Sequence, residues 1–263
     1  MDITSVIMVY FSPTGTSKAV AEGIARGIGR PETVFIDITS PGARKESLSV
    51  SEHELLVIAV PVYMGRVPAL LNEWMRVLRA EGSPAACVVV CGNRAYENAL
   101  LELTDRVAGC GGIPIAGASF IGEHSFSSAD LPTAEGRPDQ HDVCIAESFG
   151  RKIIDKLKSA SELTAVEVPG TSPYGGMTKL WDVDFISVND QCVQCGLCAE
   201  VCPVGAVDSE NSRGVDLEMC ITCCACIKTC PQHARGMKPG PVNDAAVRLN
   251  SLCKEPMQPE FFL

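Results

Sequence analysis

Cysteine carries the most chemistry in this sequence, for nine of its 14 cysteines fall within the 39 residues from Cys192 to Cys230. Cys192, Cys195, Cys198 and Cys202 run into Pro203, and Cys220, Cys223, Cys226 and Cys230 run into Pro231. The pattern C-x2-C-x2-C-x3-C-P therefore occurs twice, offset by 28 residues. Thiols at this density belong to a disulfide framework or to a metal site. Met1–Ser5 holds no basic stretch, and the apolar run Val6–Phe11 is too short for a signal-peptide core or a membrane span. The expectation is a cytoplasmic chain, and in a reducing compartment clustered cysteines hold metal. Closed zinc sites use separated C-x2-C pairs, a poor match to two complete runs each ending in Cys-Pro. Cys224 aligns with Gly196 under the duplication and reads as a non-ligand in a position that suits a small residue.

A second cluster of chemically useful residues lies near the start, where an apolar strand runs into Ser12-Pro13-Thr14-Gly15-Thr16-Ser17-Lys18. Hydroxyls, a glycine that permits close backbone approach and the free N–H groups of a following helix suit a phosphate. The same hydroxyls also suit an ordinary helix cap. No Gly-Lys-Ser/Thr ending and no G-x-G-x-x-G is present. The expected phosphate site is one neutralised by N–H and O–H dipoles, with no cation. His124, after a later strand, is either a proton donor to a ligand or a loop histidine bonded to a neighbour.

The elements that must position these residues follow from patterning. Ile3–Phe11, Thr33–Ile38, Leu55–Val60, Ala85–Cys91 and Ile113–Phe120 are short apolar runs bounded by Gly, Pro or Ser, and predict five buried strands. Ser17–Ile28, Pro68–Ala80, Tyr96–Gly109 and Asp139–Lys158 carry helical periodicity, with Pro68 suited to a first turn. Alternating strands and helices imply a parallel sheet covered on both faces. Residues 161–184, rich in Pro and Gly, predict a linker, and 185–240 hold the cysteine array. In the tail, 241–263, Pro241–Leu252 predicts a short helix, and the apolar end Phe261-Phe262-Leu263 is expected to dock. The net charge of −10 argues against a nucleic-acid surface.

The double run resembles that of bacterial two-cluster ferredoxins, in which the fourth cysteine of each copy ligates the other cluster. The resemblance implies one 4Fe-4S cluster on Cys192, Cys195, Cys198 and Cys230 and another on Cys220, Cys223, Cys226 and Cys202. The Ser-x-Thr-Gly-Thr-Ser loop in a five-strand chain resembles flavodoxins, whose strand order 2-1-3-4-5 puts flavin mononucleotide (FMN) at the switch point. That resemblance implies an FMN site on Ser12, Thr14, Gly15, Thr16 and Ser17. Two further FMN loops then follow the third and fourth strands, with Pro61, Val62, Tyr63, Met64 and Gly65 in one and Cys91, Gly92, Asn93 and Tyr96 in the other. Tyr63 and Tyr96 would stack on the flavin or pack in the core, a carbonyl near Met64-Gly65 would meet the flavin N5, and Arg94 would favour reduced flavin.

The whole chain resembles the flavodoxin-like/ferredoxin fusions called ferrodoxins, of anaerobic metabolism. The implied fold is an α/β flavodoxin-like doubly wound domain, residues 1–160, joined to a small α+β two-cluster ferredoxin domain. The implied function is electron carriage between FMN, the clusters and low-potential redox partner proteins. The alternative is an FMN-dependent reductase of a small substrate, aided by His124 or Arg94. A homodimer stays open.

Overall fold

The structure, a computed structural model, describes residues 3–177 and 183–263. Of the expected linker, residues 178–182 lie outside the described residues, as do Met1 and Asp2 at the start. The first part of the chain runs β1 (Ser5–Tyr10), α1 (Thr16–Ile28), β2 (Thr33–Asp37), β3 (Leu48–Ser49), β4 (Glu54–Pro61), α2 (Leu71–Val77), β5 (Leu78–Arg79), β6 (Pro84–Cys91), α3 (Ala99–Gly109), β7 (Ile113–Ile121) and α4 (Gln140–Ser159). The second part follows as β8 (Ile186–Val188), α5 (Leu197–Glu200), α6 (Ala225–Lys228), β9 (Arg235–Met237), α7 (Pro241–Leu252) and β10 (Glu260–Phe262).

The main sheet has the order β10-β7-β6-β4-β1-β2. Its five parallel members, counted along the chain, stand in the order 2-1-3-4-5 of flavodoxin-like folds. The central strands are continuous apolar runs because both faces are covered. Val6, Met8 and Tyr10 of β1 face a core shared with α1 and α4, while Ile7 and Val9 face one shared with α2 and α3. Residues Asp139 and Asp142 start α4 with a reciprocal capping box. Helices α1 and α4 cross so closely that a Cβ on Gly27 would stand 1.9 Å from the Glu147 carbonyl oxygen.

The sheet differs from the expected five strands by one. Strand β10 pairs antiparallel with β7, and Phe261 stacks on Phe149 at 4.8 Å and lies 5.6 Å from Phe120. The apolar end of the chain thus finds an open sheet edge and covers it. Two helices are also shorter than their periodicity predicts. Helix α2 gives way at Leu78 to β5, which pairs with β3, and α3 begins at Ala99 because Glu97 takes a left-handed backbone conformation, φ 48°.

In the second part, β8 and β9 form a separate antiparallel pair. Phe185, Ile186 and Val207 build a small core there, completed by Val242 and Ala246 of α7 and by Phe126 from the loop after β7. The segment before it lies along the α/β part: the Val166 N–H donates to the Pro114 carbonyl at 2.8 Å, and the Thr171 N–H to Asn98 Oδ1 at 2.8 Å. Gly27→Ala should force the α1–α4 crossing apart at a cost of about 1–3 kcal/mol. The check is the unfolding midpoint of the helical signal; an unchanged midpoint would show that the crossing relaxes freely.

Candidate functional site

All fourteen cysteines are free thiols. Two small voids, about 20 Å³ each, lie among them. Around one stand Cys192, Cys195, Cys198 and Cys230; around the other stand Cys202, Cys220, Cys223 and Cys226, with Cys224 also on its wall. Three members of each set come from one tight loop, and the fourth arrives from the far end of the other run, crossing over. The Ala206 N–H donates to Cys202 Sγ at 3.2 Å and the Ala234 N–H to Cys230 Sγ at 3.3 Å, bonds that orient these fourth sulfurs. Among the described residues no group of three or more Cys, His, Asp or Glu side chains is placed to hold a metal ion. Cys224, at φ 59°, takes the left-handed conformation of Gly196, φ 81°, each just ahead of a short helix.

The two loops differ in surroundings. In the first, Val193 is 66% exposed and Gln194 and Cys195 are exposed; in the second, Thr222, Cys223 and Cys226 are buried. Burial raises the Cys220, Cys223 and Cys226 thiols, the last to about 11, so a metal taken up there displaces protons.

Cys224 and Cys226 are buried in the small core of the second part, while Ile221 and Thr222 face the carboxyl edge of the sheet. A cavity of about 550 Å³ opens there, walled on one side by Tyr63, Met64, Gly65 and Gly92 and on the other by Ile221 and Thr222. Helix α7 closes one end with Asp244 and Arg248. Ile221 packs beside Val62 and Tyr63, and burial, with Cys223 and Cys224 adding to it, lifts the Tyr63 phenol well above its ordinary range. Tyr63 and Arg66 exchange backbone hydrogen bonds of 3.0 Å around Met64 and Gly65, at φ 56° and 76°, a tight hairpin turn. The turn is pinned to α3 by the Gly65 carbonyl, which accepts from the Asn98 N–H at 3.1 Å. Fully buried Glu102 adds to this by accepting from Arg66 Nε at 2.7 Å and the Val67 N–H at 2.9 Å. Burial alone would raise that carboxyl, but these bonds and Arg106 hold it below the usual range.

A narrower recess, lined by Thr14, Thr16, Pro61, Tyr63, Gly92 and His124, leads to a third pocket of about 350 Å³ at the start of α1. The hydroxyls of the first loop divide their work. Ser12 Oγ accepts from the Lys18 N–H at 3.0 Å as a cap, Thr14 and Thr16 line the recess, and Ser17 Oγ is buried without a partner among the described residues. Gly15, at φ 87° with open space around its Cβ position, leaves the turn free to meet a ligand. A glycine turn with an orphaned hydroxyl, joined by a recess to a larger and mostly apolar cavity, has room for a ligand with a phosphate at one end and a ring at the other.

Two expected ligand residues are engaged elsewhere. The Asn93 side chain donates to the Cys253 and Glu255 carbonyls at 2.7 and 3.0 Å and accepts from the Met257 N–H at 2.8 Å. The Tyr96 hydroxyl donates to Glu260 at 2.6 Å, and its ring packs in the α2–α3 core, away from the cavity. Residues with no sequence signal join the site instead: Glu123, Arg137 and Lys228 line the pocket at α1, and Arg248 the large cavity. His124 lines the cavity too, its Nδ1 accepting from the Phe126 N–H at 3.0 Å.

Residues 185–231 match the family model of a 4Fe-4S dicluster domain. Among solved structures, a flavodoxin from the domain Archaea is 16% identical over 59% of this chain and 99% of its own, with a TM-score of 0.42. Oxidised flavodoxin 1 from Bacillus cereus is 17% identical over 60% of this chain and 99% of its own, TM-score 0.41. The rubredoxin oxygen:oxidoreductase of Desulfovibrio gigas is 10% identical over 60% of this chain and 37% of its own, TM-score 0.43. No curated protein matched the sequence. Among the described residues no helix is long and apolar enough to cross a membrane.

Burial, with Lys228 and Arg94 nearby, lowers the His124 imidazole from 6.5 to about 4. The unfolded chain binds a proton below about pH 6.5 that the fold refuses, so this residue's contribution to stability falls as pH drops from about 6.5 toward 4. Histidine-labelled protein should show the His124 ring neutral from pH 8 to 5 by NMR, and a titration midpoint near 6.5 would contradict the burial argument.

Proposed function

We propose that this chain, a flavodoxin-like domain joined to a 4Fe-4S dicluster domain, is an electron carrier between low-potential redox proteins. It holds FMN in the cavity between its domains and two 4Fe-4S clusters beside it. Residues 1–160 form the flavin domain, 161–184 the connection, 185–240 the cluster domain and 241–263 the tail. The observation that supports this best is the shared wall: Ile221 and Thr222, inside the second cysteine run, line the same cavity as Tyr63, Met64 and Gly92. This shared wall supports a reading in which electrons pass between cluster and flavin within one chain.

The residues divide the task. Cys192, Cys195, Cys198 and Cys230 hold the outer cluster, and Cys202, Cys220, Cys223 and Cys226 the inner one. Thr14, Gly15, Thr16 and Ser17 receive the flavin phosphate, and the Tyr63–Gly65 turn flanks the ring. FMN supplies a centre that stores two electrons and releases them singly, matched to the one-electron clusters. The buried second loop and α7 keep water from the space between them, while the exposed first loop, with Val193 at its tip, gives redox proteins close access to the outer cluster.

Reconstituted protein should hold about eight iron atoms and one FMN per chain, with visible absorbance bleached by dithionite. Cys198→Ala should lose one cluster, and Cys224→Ser should keep both. Flavin reduction after rapid reduction of the clusters should proceed at a rate independent of protein concentration. A rate proportional to concentration would place the transfer between chains, and fast saturable turnover of one small oxidant would favour a reductase.

A further inference from the structure

We propose that Lys228, a residue of the cluster domain, supplies the cation of the flavin phosphate site, so that FMN binds across both domains. The proposal rests on the FMN reading of the cavity. The first loop carries Lys18, but that side chain is half exposed and lies 4.0 Å from Glu22, on the outer face of α1. The pocket at the start of α1 is completed from elsewhere, by Glu123 and Arg137 of the α/β domain and by Lys228, which projects from α6 between Cys226 and Cys230.

The charges in this pocket are already partnered, and the partners set how each cation is held. Arg137 is held in a two-point ion pair with Asp142 and donates to the Met257 carbonyl at 3.0 Å, so three of its five N–H groups are engaged and its guanidinium is fixed in place. Lys228 pairs with Glu123 and donates to the Ser127 carbonyl at 3.2 Å. An ammonium has three donors, which leaves one for a ligand. A phosphate monoester brings a charge of about −1.5 to −2 near neutral pH, beside a Glu123 carboxylate that repels it. The single charge of Lys228 balances the Glu123 carboxylate, and its remaining N–H is open to the phosphate. Without it, the carboxylate would face the phosphate uncompensated, and FMN would lose an attraction and meet a repulsion together.

Riboflavin, which has the ring and lacks the phosphate, separates these effects. Flavin-free protein with its clusters intact, verified by iron content, is titrated with FMN and with riboflavin, and binding is followed by quenching of flavin fluorescence. Lys228→Gln should weaken FMN binding about 10- to 100-fold, the span expected for a charge-assisted hydrogen bond, and leave riboflavin binding unchanged. Lys228→Arg should restore most of the FMN affinity, and Glu123→Gln should hold or tighten it. Equal weakening of FMN and riboflavin by Lys228→Gln, or no weakening of FMN, would overturn the proposal and leave the FMN reading intact. Unaltered protein that binds neither flavin would overturn both.

Discussion

The geometry between the two domains depends on the chain returning to the sheet it left. After β7 and α4 the polypeptide departs to build the cysteine domain, and β10 comes back antiparallel onto β7. The cysteine domain is therefore anchored at both ends to one half of the same sheet. Asn93 holds Cys253, Glu255 and Met257, Tyr96 holds Glu260, and Arg137 holds Met257. These bonds fasten the returning tail to the loops after β6 and β7, and Gly92 of the first helps wall the large cavity. A loop closed at both ends restricts the second domain far more than a single flexible tether could.

The constraint has an electrostatic counterpart across the domain boundary. Lys228 meets Glu123, and Arg44 of the α/β domain donates to the Pro203 carbonyl next to Cys202. Both contacts are partly buried, so solvent screens them less than it would surface pairs. With Phe126 inserted in the small core of the cysteine domain, the interface combines one apolar plug with a few directed polar bonds.

How much of this was legible in the sequence depended on whether the cause was local. The cysteine spacing is strict because a tight loop must present three sulfurs at once, so it is readable from neighbours alone. The apolar strands were readable because burial on both faces removes polar residues. Asn93 and Tyr96 were not, since their partners Met257 and Glu260 lie 164 residues away and carry no signal that points back. Lys228 looks like any surface lysine until folding sets it beside Glu123. The end of α2 was hidden likewise, because Leu78 obeys a pairing with Leu48 rather than its helical period.

The duplicated cysteine runs began with the same spacing and came to occupy different neighbourhoods. Val193 and Gln194 face solvent, whereas their counterparts Ile221 and Thr222 are shared by two domains and a cavity. The first pair touches solvent and its own cysteine void, and the second touches its cysteine loop, the facing domain and the cavity at once. One copy thus keeps an open side toward solvent, while the other is enclosed by its housemates.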